Sequence, residues 1–199
     1  AGVVGRNSGK LIDELVPCKP SNCYETTKYE AEVAVGKALI NSNVIILRPT
    51  NVVDENQLGI LGLPLSDSIL NLLKAFIKGG ECAHIVHAED VANAALFFSE
   101  KNSPKPRIYF VSLDHDPLNT VANLWVLCRM MMKGNEGNIV KSLPHLPIFV
   151  PHFFRMIKGS VSNRGDLKYS SSQIISEGFC FSFGVKDTIK RIIQDRTQK

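Results

Sequence analysis

Short continuous runs of apolar residues alternate along this chain with longer segments of mixed polarity. VIILRP (44–49) and RIYFVSL (107–113) are the two longest runs, and CAHIVH (82–87) is a third, shorter one. Continuous apolar runs of this length are typical of buried strands in parallel sheets. The segments between them have the length and composition of helices. The pattern therefore predicts an α/β fold that is built on a parallel sheet.

The intervening segments predict a series of helices. The first is capped by Ser21 or Asn22 and runs to about Ile40. Glycine, proline, asparagine and serine predict loops at 6–22, 50–64 and 160–172, and the chain opens on an apolar run, AGVVG (1–5). The remaining helices are expected at 66–78, 89–101, 120–134, within 145–157 and at 185–196, with a further short strand in 138–144.

Composition and charge limit the classes of protein to consider. The 199 residues are 44% hydrophobic and 21% charged, which is ordinary for a globular chain. The net charge of +4 comes from scattered lysines and arginines, whereas nucleic-acid binding normally needs a clustered basic face. No nucleic-acid partner is therefore expected.

The cysteines and the apolar stretches indicate a cellular compartment. Five cysteines without a C-x-x-C pair predict neither a disulfide framework nor a zinc site, and they fit a reducing cytosol. The most apolar long stretch (145–159) is broken by Pro147 and Pro151, so no membrane span is predicted, although the stretch suits an apolar lid or an interface. With no signal peptide evident, a soluble cytoplasmic protein is expected.

The stretch SNCYETTKYEAE (21–32) places Tyr24 and Lys28 four residues apart near the start of the first predicted helix. Residues i and i+4 share a helical face, so the ammonium can lie near the phenol. A positive neighbour favours phenolate and lowers a tyrosine pKa from about 10 toward a value that suits acid–base catalysis. The alternative is a surface tyrosine that stacks on a lysine side chain. None of the other three tyrosines has lysine at this spacing.

Three segments occur in a recognisable order: YETTK (24–28), ILRPTNVV (46–53) and HIVHAEDVANAALFF (84–98). The order resembles the extended short-chain dehydrogenase/reductase family, the NAD-dependent epimerase/dehydratases. That family has a Tyr-x-x-x-Lys helix, a strand ending Arg-Pro-x-Asn-x-x-Gly, and a corner of the form Ile-His-Val-Asp-Asp-Val-Ala. The matching residues after the first motif are Arg48, Pro49, Asn51, His87, Asp90, Val91 and Ala92.

The resemblance also covers the start of the chain, where AGVVG, followed by Asp13, Glu14 and Pro20, is similar to the family's catalytic-serine strand and the loop after it. It implies part of a Rossmann-type parallel sheet domain with a smaller mixed C-terminal substrate lobe. The expected division assigns 1–54 and 84–114 to the C-terminal part of the dinucleotide-binding domain, and 55–83 and 115–199 to the substrate-binding lobe.

The family's glycine-rich turn, Gly-x-x-Gly-x-x-Gly, is absent from these 199 residues. In that turn a helix N-terminus and close backbone approach hold the cofactor pyrophosphate. The family's catalytic Ser or Thr would precede Ala1. The chain is therefore expected to be the C-terminal portion of such an enzyme. On their own, the 199 residues are expected to bind NAD(P) weakly or not at all and to be inactive.

The resemblance implies roles for individual residues. Tyr24 would be the general acid/base for a substrate hydroxyl, and Lys28 would favour its phenolate and bind the nicotinamide ribose of NAD or NADP. The residues that would lie against the nicotinamide follow the second motif's strand: Pro49, Thr50, Asn51 and Val52.

Other positions leave alternatives open. The Asn51 side chain would face the substrate or be a turn asparagine. His84 and His87 have no third ligand spaced nearby, so no metal site is predicted, and His84 is a structural residue or a substrate contact. Asp54 stands where the family usually has Gly, and Ala83 where many nucleotide-sugar epimerases have an arginine that clamps the diphosphate.

The leading hypothesis is an NAD(P)-dependent epimerase/dehydratase-like enzyme that acts on a nucleotide-sugar by tyrosine-assisted hydride transfer. One alternative is an NAD(P)-dependent reductase of a hydroxy-ketone or steroid-like substrate, which Ala83 favours together with an apolar 145–157 segment suited to lining a pocket. The other is a non-catalytic dinucleotide-sensing or scaffold protein of the same fold. A small-molecule substrate is the expected partner, and a homodimer is compatible with the sequence.

Overall fold

The computed structural model describes residues 2–7, 9–38, 44–66, 68–101, 107–135, 137, 141–157, 163 and 165–198. The helices are α1 (Cys23–Ala38), α2 (Ile69–Lys78), α3 (Ala88–Ser99), α4 (Val121–Met132), α5 (Phe149–Ile157), α6 (Ser172–Ser176) and α7 (Val185–Gln198). The strands are β1 (Leu11–Ile12), β2 (Ile45–Pro49), β3 (Asn51–Val53), β4 (Ile85–His87), β5 (Arg107–Val111) and β6 (Lys168–Tyr169).

The strands pair in parallel. β2 pairs with β5, β3 with β4, and β1 with β6. At Thr50 the chain passes from one neighbour to the other: the Thr50 N–H donates to Val111 O (3.1 Å) and the Asn51 N–H to His84 O (2.7 Å). The predicted α/β class with parallel strands is confirmed.

Side chains on β5 alternate between two hydrophobic clusters. Tyr109 and Val111 belong to the main core, which α3, α4 and α7 share with β4 and β5. Phe110 belongs to a smaller cluster with Val3, Val4, Ile12 and Leu167. Successive side chains of a strand point to opposite faces, so a strand that is covered on both faces needs apolar residues throughout. This explains the uninterrupted apolar run at 107–113.

Helix α3 follows β4 without a loop. The His87 ring accepts the Glu89 N–H (3.1 Å) at the helix start. Two acidic residues, Glu89 and Asp90, lie in the first turn, near the positive end of the helix dipole. Ala94 and Phe98, four residues apart, are both buried, and the Phe98 ring stacks on Tyr109 with centroids 4.4 Å apart. His87 therefore helps to fix the turn from β4 into α3.

Several predicted loops contain regular structure. The predicted loop 6–22 contains β1, which pairs with β6 inside the predicted loop 160–172, where α6 also begins. The predicted loop 50–64 contains β3 and a 3₁₀ turn at Gly59–Gly62. Strands of two or three residues are too short to give a periodic pattern, because their pairing depends on residues far away in sequence.

The strand interpretation of the opening residues is wrong. Gly2–Val4 forms a 3₁₀ turn, closed by the Gly5 N–H, which donates to Gly2 O (3.0 Å). Gly5 has a φ of +64°, a conformation that favours glycine and ends the apolar run. The short strand predicted in 138–144 is not formed at 141–144, and residues 138–140 lie outside the described residues.

The division into two domains stays a prediction. The main core draws on residues from both expected units, for example Ile85 and Tyr109 from the first and Leu124 and Ile189 from the second. In the part of the chain that the structure describes, no helix has both the length and the apolarity needed to cross a membrane.

Candidate functional site

Helix α1 begins immediately before Tyr24 because its first turn is capped by side chains. Asn22 Oδ1 accepts the Glu25 N–H (2.9 Å), as predicted for a cap at this position. The Glu25 carboxylate in turn accepts the Ser21 N–H and hydroxyl (2.7 and 2.8 Å). These contacts fix where the helix starts and so set the direction in which Tyr24 and Lys28 project.

Tyr24 and Lys28 lie on one face of α1. The Lys28 ammonium is 5.7 Å from the centroid of the Tyr24 ring, and the tyrosine is 69% exposed. This distance is within the range of a cation–π contact. The spacing in sequence thus brings the two groups together as the helix geometry requires.

Two neighbouring cavities contain the sequence-predicted site residues. The larger, about 570 Å³, lies between α1 and β2, and among its lining residues are Tyr24, Lys28, Pro49, Thr50 and Val52. The smaller, about 320 Å³, is lined by Tyr24, Pro49, Thr50, Asn51 and His84, together with Tyr169 and Asn163, which the sequence analysis did not identify. Tyr24, Pro49 and Thr50 line both.

Asn51 combines a structural contact with a place in the smaller cavity. Its side-chain NH₂ donates to Ala83 O (2.8 Å), which ties the start of β3 to the residues before β4. Ala83 is 1% exposed and belongs to the main core. A side chain at position 83 therefore points into the protein interior.

His84 is held by an acid that the sequence analysis missed. Its Nδ1 lies 2.6 Å from Asp114 Oδ2, which also accepts the Tyr169 N–H (2.8 Å), and the Asp114 side chain is fully buried. His84 has a φ of +58°, an uncommon conformation for a non-glycine residue. Asp114 follows β5 closely, and the carboxyl end of a parallel strand is the signal that would have identified it.

The electrostatics of this pair favour a charged imidazole. Burial of the His84 ring lowers its pKa, but the hydrogen bond and charge of Asp114, with a smaller contribution from Cys82, outweigh it and raise the pKa from 6.5 to about 10. At neutral pH the wall of the smaller cavity therefore carries an imidazolium paired with a buried carboxylate.

Cys82, His84 and Asp114 offer sulfur, nitrogen and oxygen atoms within 4.8 Å of one another, a grouping that sequence spacing did not predict. The His84–Asp114 separation of 2.6 Å is that of a direct hydrogen bond. Two ligands of a tetrahedral zinc bound at about 2.0–2.1 Å would lie about 3.3 Å apart. The Cys82 thiol donates to Asn119 O at 3.3 Å. The contacts describe a hydrogen-bonded cluster.

The His84–Asp114 pair predicts a pH-dependent stability. Below pH 6.5 both folded and unfolded His84 are protonated, so the stabilisation is complete. As pH rises toward about 10 the unfolded chain loses its proton first. The free energy of unfolding should therefore fall by up to about 1.4 kcal/mol per pH unit in this window. Urea unfolding at several pH values in this window checks the prediction. His84→Gln should reduce the change in the free energy of unfolding with pH. His115→Gln, at an exposed histidine, is the control and should leave that change as it is.

Two other residues of the family motifs are structural. Arg48 is 4% exposed and binds Glu32 of α1, with 2.6 Å between Nη2 and Oε2. The buried Asp90 accepts the Ser182 N–H (2.6 Å) and holds the segment before α7. Burial raises the pKa of the Asp90 carboxyl above its ordinary value, and these backbone hydrogen bonds oppose that effect. Both contacts join segments that are distant in sequence.

Comparison with protein families gives one match within the chain. Residues 13–96 match the model of an NAD-binding family that is described as "Male sterility protein". Comparison with curated proteins gives no match.

Solved structures match nearly the whole chain. They include UDP-glucose 4-epimerase of Thermus thermophilus in complex with NAD (TM-score 0.60, 17% identity, covering 98% of this chain and 60% of that one). Another is dTDP-glucose 4,6-dehydratase of Bacillus anthracis in complex with NAD (TM-score 0.62, 14% identity, covering 100% of this chain and 59% of that one). A third is vestitone reductase of alfalfa, Medicago sativa (TM-score 0.59, 20% identity, covering 99% of this chain and 62% of that one).

The structural matches confirm the predicted Rossmann-type α/β fold, and residues 13–96 are similar to an NAD-binding family. The chain spans about three fifths of the length of the solved structures that it matches, 59–63% for the first three.

Proposed function

We propose that this chain supplies the acid–base pair of an NAD(P)-dependent epimerase, dehydratase or reductase, with Tyr24 as the general acid/base. One observation carries the proposal. Tyr24, Asn51 and His84, one residue from each of the three separated motifs, line adjoining cavities at the end of β2. α/β sheets bind ligands at the carboxyl ends of their strands.

The proposed chemistry follows from the groups at this place. A phenol is a poor base at neutral pH unless positive charge stabilises phenolate, and the Lys28 ammonium, 5.7 Å from the centroid of the Tyr24 ring, is a nearby positive charge. Tyr24 would take the proton of a substrate hydroxyl, or return it to a carbonyl. Bound NAD(P) would accept or give the hydride.

The larger cavity suits the nicotinamide–ribose end of the cofactor. Its volume of about 570 Å³ is within the usual range of ligand sites, and Lys28, Pro49 and Thr50 lie along it. The pyrophosphate needs backbone N–H groups at a glycine-rich helix start, which these 199 residues lack. The residues therefore fit one end of the cofactor.

For the substrate we propose a nucleotide-sugar, with a hydroxy-ketone as the second candidate. The smaller cavity carries Asn51, His84 and Tyr169, and such polar side chains suit a hydroxyl-rich group. Two of the matching structures are enzymes named for nucleotide-sugars. The second candidate, a hydroxy-ketone or steroid-like substrate, is favoured by vestitone reductase among the structural matches. Ala83 gives it no support, because position 83 faces the core and lines neither cavity. Residues 145–157 are not among those that line either cavity, so they give it no support.

Calorimetry with NAD⁺, NADH, NADP⁺ and NADPH tests the proposal. The 199-residue chain should bind each weakly or not at all, because Tyr24 and Lys28 reach only the nicotinamide ribose. A longer form that contains a glycine-rich turn should bind one of them and transfer hydride to or from UDP-glucose or dTDP-glucose. Micromolar binding by the 199 residues would mean that other groups hold the phosphates. Cofactor binding without turnover of any sugar or hydroxy-ketone would favour the non-catalytic alternative.

A further inference from the structure

Helix α2 turns its apolar side away from the protein. Ala75 is buried, and Lys74 and Lys78 are exposed. At about 100° per residue, the large apolar side chains form one continuous face that points away from Ala75. Six of them are 36–84% exposed: Ile69, Leu70, Leu72, Leu73, Phe76 and Ile77.

Helix α5 has the same inverted arrangement. Pro151 is buried, and Arg155 turns inward to Glu81, with 2.6 Å between its Nη1 and Oε1. A surface helix of a globular protein normally does the reverse, packing apolar residues on the core and exposing polar ones. Five large apolar side chains of α5 are 57–67% exposed: Phe149, Phe153, Phe154, Met156 and Ile157.

The two helices are neighbours. The Leu146 N–H, shortly before α5, donates to Phe76 O of α2 (2.9 Å). Gly80, just after α2, lies against Ile148: a Cβ at that position would be 2.9 Å from Ile148 Cγ1. These contacts place the end of α2 beside the segment that leads into α5, and we call the exposed apolar residues of the two helices together the α2/α5 surface.

The charges on this surface have one sign. Lys74 and Lys78 are four residues apart, so they lie on the same side of α2 and border its apolar face. Neither helix contains Asp or Glu. Helices that lie in the interface of anionic bilayers have this composition: an apolar face that is bordered by lysines rather than by acids.

We propose that the α2/α5 surface docks on an anionic lipid bilayer. The apolar side chains would enter the boundary between headgroups and acyl chains, and Lys74 and Lys78 would contact lipid phosphates and carboxylates. Ten residues of α2 extend about 15 Å, half of the hydrocarbon thickness, so the helix lies on the membrane rather than through it.

Charge favours lipid over a second copy of the chain. In a two-fold dimer the same patch meets itself, and because neither helix contains an acid, the second copy would offer these lysines no opposite charge. An anionic lipid surface instead offers opposite charge along the whole contact.

Vesicle co-sedimentation of the 199-residue chain tests the proposal. Binding is expected to vesicles that contain about 30% phosphatidylserine, weaker binding to phosphatidylcholine alone, and release at high salt. Lys74→Glu/Lys78→Glu should weaken binding by about 30-fold or more, since each lysine near the surface contributes about fivefold. Lys10→Glu/Lys37→Glu, with the same net charge, is the matched control and should bind as before.

The apolar contribution has its own pair of variants. Leu73→Asp on α2 should weaken binding to both vesicle types. Leu96→Asp on α3, at a leucine that is somewhat more exposed (66% against 52%), should not. The proposal is overturned if no vesicle binds, or if the control variants lose as much affinity. It is also overturned if the chain is a dimer that Leu73→Asp dissociates without any vesicle binding, because the surface would then join two copies.

Discussion

Tyr24→Phe is expected to lower kcat for hydride transfer by about 10²–10⁴-fold in a form of the protein that turns over substrate. The substitution removes the phenolic oxygen, the proposed proton donor and acceptor, and keeps the ring that lines both cavities. Because Tyr24 is 69% exposed, the free energy of unfolding should change little. The absorbance of NADH during turnover measures the rate, and calorimetry should show that cofactor affinity is nearly unchanged.

Tyr29→Phe is the matched control for this experiment. Tyr29 lies on the same helix and is 37% exposed, but it is not among the residues that line the two cavities. It should keep the full rate. Tyr24 would not be the general acid/base if Tyr24→Phe kept the full rate, or if Tyr29→Phe lost as much activity. It would then only line the two cavities.

Glu32→Gln is expected to destabilise the fold by about 3 kcal/mol, the lower end of about 3–5 kcal/mol for breaking a buried ion pair. The Arg48 guanidinium is 4% exposed and meets both oxygens of Glu32, through Nη2 at 2.6 Å and Nε at 3.1 Å. Neutralising Glu32 leaves this buried charge without its counter-ion. Urea unfolding at pH 7 measures the change.

The same variant should also reduce turnover in an active form. None of the described α1 residues is buried, and the Glu32–Arg48 ion pair joins this helix, which carries Tyr24, to strand β2. Weakening the pair should therefore loosen the position of Tyr24. Glu30→Gln, an exposed position on the same helix, should shift the free energy of unfolding by less than about 0.5 kcal/mol. Equal stability of the two variants would show that α1 is held by other contacts.

Local patterns determined the longer regular elements and part of the candidate site. The apolar runs at 44–49 and 107–113 predicted β2 and β5, because a strand covered on both faces needs apolar residues at every position. Ser21 or Asn22 was the predicted cap of α1, and Asn22 is the residue that accepts the Glu25 N–H. The spacing of Tyr24 and Lys28 placed both on one helical face. Each of these follows from contacts among residues that are close in sequence.

Contacts between distant residues were decided by the tertiary structure. The two-residue strands β1 and β6 pair across more than 150 residues, and nothing in either segment alone specifies that partner. Asp114 meets His84 because the end of β5 lies near the residues just before β4, and Glu32 meets Arg48 because α1 lies alongside β2, across the larger cavity. The sequence contains these groups but does not indicate which of them pair.

Helices α2 and α5 illustrate the same limit. Their sequences determine that each has an apolar face, since that depends on the helical repeat alone. Whether the face meets the core or points outward depends on which side of the helix the rest of the chain covers. In this protein the rest of the chain covers the side of α2 that carries Ala75 and the side of α5 that carries Pro151 and Arg155. The packing of distant segments therefore left the apolar faces of both helices exposed.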